Sequence, residues 1–133
     1  MMAAAESERQ QLIQVIGDFL EMGHVENIMA MFKQDPDHYH LVGELLRDER
    51  FMVRMGVAVL FEELKAIRPE EISLAIPALV PLLAEETPWV RGEAVNILGI
   101  IGSEEAMALI RPLAEDPEPQ IREMVADLVA EQG

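Results

Sequence analysis

The stretch EETPWVRGEAVNIL at residues 85–98 decides the fold, because two others lie over it: DERFMVRMGVAVLF at 48–61 and DPEPQIREMVADLV at 116–129. In each, an acid (Asp48, Glu85, Asp116) precedes an aliphatic–arginine pair (Val53-Arg54, Val90-Arg91, Ile121-Arg122) by five and six residues. Counting on from the arginine, Val57, Ala94 and Val125 stand at plus three, and Ala58, Val95 and Ala126 at plus four. Leu60, Ile97 and Leu128 follow at plus six, and Phe61, Leu98 and Val129 at plus seven. Apolar residues three, four and seven apart share one face of an α-helix, so each stretch predicts an amphipathic helix entered from an acidic turn. Six residues before each acid stand Val42, Leu79 and Ile110, which puts a second apolar segment upstream of every turn. The arginines recur after 37 and then 31 residues. Each unit is therefore a helical hairpin that cannot bury its apolar face alone and must stack on its neighbours.

Outward from these turns, glycines, prolines and acids cut the rest of the chain into helix-length pieces. Leu12, Val15, Ile16, Phe19 and Leu20 form one stripe of a helix predicted over 5–22, with Gly23 as its stop. A second helix, 25–33, carries Ile28, Met29, Met31 and Phe32 and ends at Asp35-Pro36. Asp37 is expected to cap a third, carried by Leu41, Val42, Leu45 and Leu46. The fourth covers 50–66, and the fifth starts with Pro69 in its first turn and runs to Leu83, bent by Pro77 and Pro81. Thr87-Pro88 opens the sixth, Gly102 closes it, Ser103 starts the seventh, and Pro117 or Pro119 introduces the eighth. The predicted fold is an all-α solenoid of about four antiparallel hairpins in a single domain, 1–133. Within it 37–66, 68–102 and 103–131 are repeat units, and 5–34, which lacks the acid-to-arginine signature, is a degenerate capping hairpin.

The pattern resembles the HEAT repeat family, and in particular its short bacterial HEAT-like, phycobilisome-lyase-type form, with an acidic turn and Val-Arg at the start of the second helix. That resemblance implies a right-handed α-solenoid whose second helices line a concave face, and a non-enzymatic protein-binding scaffold or adaptor. Its narrower form implies an alternative, an accessory or lyase-like subunit of an enzyme complex. HEAT-like DNA glycosylases suggest a nucleic-acid binder. Those use a basic groove, whereas this chain sets 25 acids against 10 bases, a net charge of −15 that repels phosphate backbones and anionic lipid. The expected partner is thus a protein or peptide, with basic character favoured; nucleic acid and membrane are not expected.

A chain of 133 residues, half of them hydrophobic, suffices for one packed domain. With no cysteine, thiolate metal sites and a cysteine nucleophile are excluded. Met1 to Gln10 carries Glu6, Glu8 and Arg9 without a basic-then-apolar leader, and the longest apolar run, 72–84, is too short to span a bilayer, so a cytoplasmic location is expected. His24, His38 and His40 do not share a helix face, and the neighbouring carboxylates at 62–63, 70–71, 85–86 and 104–105 point apart. Accordingly no metal, cofactor or catalytic residue is expected.

Asp48, Arg54, Glu85, Arg91, Asp116 and Arg122 read as a structural ladder, one rung per unit, the acid accepting free N–H groups at the turn and the arginine reaching an acid of its own or the next turn. An anionic ligand on these arginines is the competing reading. On the second helices Met52, Met55, Val59, Glu63, Trp89, Glu93, Asn96 and Asp127 are the candidate protein-binding residues of the concave face, with Gly56, Ile100, Gln120, Met124 and Glu131 at equivalent positions. Trp89 is either a hot spot flanked by Met52 and Met55 or a ring packed against the adjacent hairpin. Glu118, Glu123, Asp127 and Glu131 are expected to blunt the last helix against self-association, leaving the Met- and Phe-rich N-terminal hairpin as the homodimer surface.

Overall fold

Residues 2–132 are described by the structure, a computed structural model of the chain. Eight α-helices account for most of them: α1 (Met2–Glu21), α2 (Val25–Gln34), α3 (Val42–Leu46), α4 (Phe51–Ile67), α5 (Ile76–Leu79), α6 (Pro88–Ile101), α7 (Glu104–Ile110) and α8 (Pro119–Gln132). Short 3-10 segments complete the first helix of each of the last three hairpins: Pro36–Leu41 before α3, Ile72–Ala75 and Val80–Ala84 around α5, and Arg111–Glu115 after α7. No strand occurs among the described residues.

In these three hairpins the second helices are long and regular and the first are broken, whereas α1 is unbroken over 20 residues, and prolines account for most of the difference. Pro36, Pro81 and Pro112 each sit at the start of a 3-10 segment and Pro77 at the start of α5. A proline inside a helix removes one N–H and crowds the carbonyl four residues back, so the chain tightens into 3-10 turns. The fifth helix expected from Pro69 to Leu83 is accordingly three short pieces. Pro69 lies in the connecting turn, outside its first helical residue. The cap of the third helix also differs from expectation: Asp35, not Asp37, accepts, from the Asp37 N–H at 3.0 Å. Ser103 Oγ accepts the Ala106 N–H at 3.1 Å, whereas Thr87 holds the N-cap position without a side-chain bond. Gly102 closes α6 with φ of 66°, a left-handed conformation that costs glycine little.

In packing order, α1 lies against α4, α4 against α6 and α6 against α8, a row of helices joined face to face. Both α1 and α2 rest on α4. The first helices pack beside this row, where α3 approaches α5 so closely that a Cβ on Gly43 would stand 2.6 Å from the Ala78 carbonyl oxygen. One apolar core runs through the stack, and equivalent repeat positions play equivalent parts in it. Val42, Leu79 and Ile110 are all fully buried, as are Val57, Ala94 and Val125. Each of the larger side chains contributes roughly 1.5–3 kcal/mol when taken from water.

Candidate functional site

The three arginines hold their own turns in one manner. Nη1 of Arg54 donates to the carbonyls of Asp48 and Glu49 at 2.9 and 3.0 Å. Arg91 does the same to Glu85 and Glu86 at 2.7 and 3.1 Å, and Arg122 to Asp116 and Pro117 at 2.8 and 3.2 Å. The carbonyls left over where the first helix ends thereby find a donor from one turn inside the second. Two of the turn acids act as the spacing predicts: Asp48 accepts the Arg50 N–H and Asp116 the Glu118 N–H, both at 2.9 Å. Glu85, one methylene longer, makes no such bond among the described residues.

The rest of each guanidinium distinguishes the units. Arg91 reaches forward with Nε and Nη2 to both oxygens of Asp116, each at 2.9 Å, a two-pronged bridge whose side chains are only 12% and 5% exposed. Arg54 makes a single forward bond, Nε to Glu93 at 2.7 Å on α6, and bypasses Glu85, which pairs instead with Arg47. Asp48 is bridged by Arg50, whose Nη1 also reaches Asp18 and Glu21 and so fastens α1 to the first turn. These bonds have electrostatic consequences. The Arg91 guanidinium holds the Asp116 carboxyl below the usual carboxylate range and is itself pushed up by it; Arg50 lowers Asp48 in the same way.

Between α4, α6 and the start of α8 lies a groove of about 510 Å³. Trp89, Glu93 and Asn96 line it, joined by Gln120 and Met124 from α8. Trp89 is 40% exposed, and the Arg54 guanidinium carbon stands 4.2 Å from its ring centroid, so one face of the indole is stacked and the ring is still open to solvent. The neighbours expected for it, Met52 and Met55, are exposed on α4 with Val59, outside the lining; Phe51 and Arg54 take their place. Glu63 and Asp127 are exposed and also outside it. Glu93 contributes as the ion-pair partner of Arg54.

Phe51, Pro88, Gly92, Glu118 and Ile121 complete the lining and escape the sequence reading. One signal for Phe51 was present: it stands three residues before Arg54, on the same helix face, and the guanidinium carbon lies 5.6 Å from its ring. Glu118 lies before the helix in an irregular turn, where periodicity gives no direction.

Elsewhere, His38 donates from Nδ1 to the carbonyl of Asp35 at 2.8 Å and stacks on Phe32, closing the end of α2. Among the described residues no three His, Asp or Glu side chains converge as a metal site would require, and no helix is long and apolar enough to cross a membrane. In the N-terminal hairpin, Ile28 and Phe32 are fully buried and Phe19, Met29 and Met31 pack on the core, while Val15 and Met22 stay exposed. Compared with known families, residues 44–130 match a family model described as HEAT repeats. The narrower phycobilisome-lyase-type form is not part of that match. No curated protein and no solved structure matches the chain.

Proposed function

We propose, since the chain belongs to the HEAT-repeat family, that it is a non-enzymatic scaffold or adaptor holding a protein segment in the groove between α4, α6 and α8. HEAT repeats generally mediate protein–protein interaction and generally serve as non-catalytic scaffolds. The observation that carries the reading is Trp89: a large, part-exposed ring that stacks on Arg54 and lines the groove with it. A ring already immobilised loses little entropy on binding, which is the property of an interface anchor.

The chemistry of the lining describes the partner. Phe51, Trp89 and Met124 offer aromatic and thioether surface to an apolar side chain. The amides of Asn96 and Gln120 each carry a donor and an acceptor, as a peptide backbone does. Glu118 has no ion-pair partner among the described residues, and the net charge of −15 accelerates approach of a basic segment. An extended peptide that places an apolar residue beside a lysine or arginine fits all three.

Trp89 is the sole tryptophan, so its fluorescence reports on the groove. Titration with a set of short peptides, varied in charge and in one apolar position, should select basic–apolar members. Their binding should shift Trp89 emission and weaken with salt, and isothermal titration calorimetry, which needs no tryptophan, should find it lost in Trp89→Ala and reduced in Glu118→Gln. Peptides that bind without altering Trp89 emission and bind Trp89→Ala equally well would refute the assignment.

A further inference from the structure

Arg54 and Glu93 meet through one bond where the next rung has two. Asp116 takes Nε and Nη2 of Arg91 on its two oxygens, and one of those oxygens also accepts the Glu118 N–H, so that edge is fully used. Glu93 accepts from Nε of Arg54 alone, through Oε2 at 2.7 Å. With Nη1 held on the Asp48 and Glu49 carbonyls, Nη2 of Arg54 and Oε1 of Glu93 are left without a partner among the described residues. Neither atom is sealed in the core, where the unpartnered side-chain atoms among the described residues are the Tyr39 hydroxyl and Glu71 Oε2. Both residues line the groove, whereas Arg91 and Asp116 do not.

The pair is also held in place. Trp89 and Glu93 stand four residues apart on α6 and so share a face, and both hold the Arg54 guanidinium, one by stacking at 4.2 Å and one by a hydrogen bond. The side chains of Arg54 and Glu93 are only 12% and 22% exposed. A donor and an acceptor fixed in advance lose little further entropy when a ligand engages them.

Their chemistry decides what they select. A carboxylate supplies acceptors only, and it would bring a second anion to a cation that Glu93 already neutralises, in a groove that Glu118 also lines. An ammonium supplies donors only and would meet the guanidinium. A group with one donor and one acceptor side by side satisfies both atoms. An extended polypeptide offers one at every second residue along each edge, where N–H and C=O of the same residue point the same way. In an α-helix those groups are taken up by internal bonds.

We propose that Arg54 and Glu93 act together as the edge of a strand would, Nη2 donating to the backbone carbonyl and Oε1 accepting the backbone N–H of one residue of an extended segment in the groove. This role rests on the groove being a peptide site, and adds to that reading a conformation and a register. The pair itself imposes no side-chain preference at the residue it holds; selection falls to the neighbours that reach Phe51, Trp89, Met124 and Glu118.

The probes are the tightest-binding member of the basic–apolar peptide set and copies of it in which one backbone amide at a time is replaced by an ester. The ester removes the N–H and weakens the preceding carbonyl as an acceptor. Calorimetry on the wild type should find one position where the ester weakens binding about tenfold or more, the size expected of a hydrogen bond to a charged group, against a few fold or less elsewhere. In Glu93→Gln the amide gives its oxygen to Arg54 and presents a donor where the acceptor stood. The parent peptide should therefore bind this variant about tenfold more weakly, and the ester at the sensitive position should cost nothing further. That ester's loss should persist in Asn96→Ala and in Gln120→Ala, the other lining residues able to pair with a backbone. A copy locked as a helix by a side-chain staple should bind at least about tenfold more weakly than the parent. Losses spread evenly along the scan overturn the role of the pair whether or not Glu93→Gln folds, since the scan alters only the ligand. A loss undiminished in Glu93→Gln, a loss abolished by Asn96→Ala or Gln120→Ala instead, or a stapled helix that binds as tightly as the parent overturns it as well, and each leaves the groove a binding site. If no peptide of the set binds the wild type, the groove reading itself fails and the role of the pair with it.

Discussion

Replacing Arg91 by alanine should destabilise the fold by about 3 kcal/mol, between the 0–1 of exposed ion pairs and the 3–5 lost when a buried pair is broken on one side. The figure follows from what is left behind. Arg91→Ala removes two bonds to Asp116 and two to the Glu85 and Glu86 carbonyls. Asp116, 5% exposed, then keeps its charge with the Glu118 N–H as its remaining hydrogen bond. The other rungs are internal controls. Arg54→Ala leaves Glu93, 22% exposed and more easily rehydrated, for a cost of about 2 kcal/mol. Arg122→Ala gives up only its turn carbonyls and should cost about 0.5–1 kcal/mol. Urea unfolding followed by far-ultraviolet circular dichroism reads all three; with a slope near 1.5 kcal/mol per molar, Arg91→Ala lowers the midpoint by about 2 M. Asp116→Ala should cost less than Arg91→Ala, because Arg91 is more open to solvent and retains two carbonyl acceptors, while an abandoned, more deeply buried Asp116 keeps only the Glu118 N–H and the field of Arg122. A cost for Arg91→Ala no larger than that of Arg122→Ala, or a coupling between Arg91 and Asp116 below about 0.5 kcal/mol in a double-mutant cycle, would refute the account of the bridge.

Acid should weaken the fold through the same carboxylates. Asp116 and Asp48 have folded-state pKa values below their unfolded value of 3.8, so their contribution is complete above that value and is lost as pH falls through the folded ones. A urea midpoint that declines below about pH 4, with a shallower decline in Asp116→Asn, is the expected record. Tyr39→Phe should leave stability unchanged or raise it by up to about 1 kcal/mol, since the buried hydroxyl has no hydrogen-bond partner among the described residues. In the wild type, burial and the nearby Glu71 push that phenol up to about 12, which absorbance titration can follow. Gly43→Ala should lower the melting temperature, at a cost of about 1–3 kcal/mol, because its Cβ would meet the rigid Ala78 carbonyl rather than a side chain that can turn aside.

The second helices were legible because both their apolar period and their turn signals repeat. Thr87-Pro88, Gly102 and Ser103 mark boundaries that the coordinates reproduce within a residue or two. The first helices were legible as apolar segments and not as continuous helices, since Pro77, Pro81 and Pro112 break hydrogen bonding without disturbing which residues face inward. The ladder was half legible. The spacing from acid to arginine reflects a real contact, but the contact is with turn carbonyls, which every residue carries and no sequence pattern displays. Trp89, Glu93 and Asn96 were found from their position on one helix, whereas Phe51 and Glu118 come to the groove through packing between units, which one helix's periodicity does not encode.

The unequal forward bonds of Arg54 and Arg91 also tie their units together in different ways. Two parallel bonds to one carboxylate fix orientation as well as distance, so the link from α6 to the last hairpin is directional. Arg54 makes one such bond, to Glu93, and its stack on the Trp89 ring, also on α6, gives the link between α4 and α6 a second point of attachment. The groove lies over that link, with Phe51 on the α4 side and Trp89 and Met124 on the other, so the same guanidinium that ties the two units together also forms part of the groove wall.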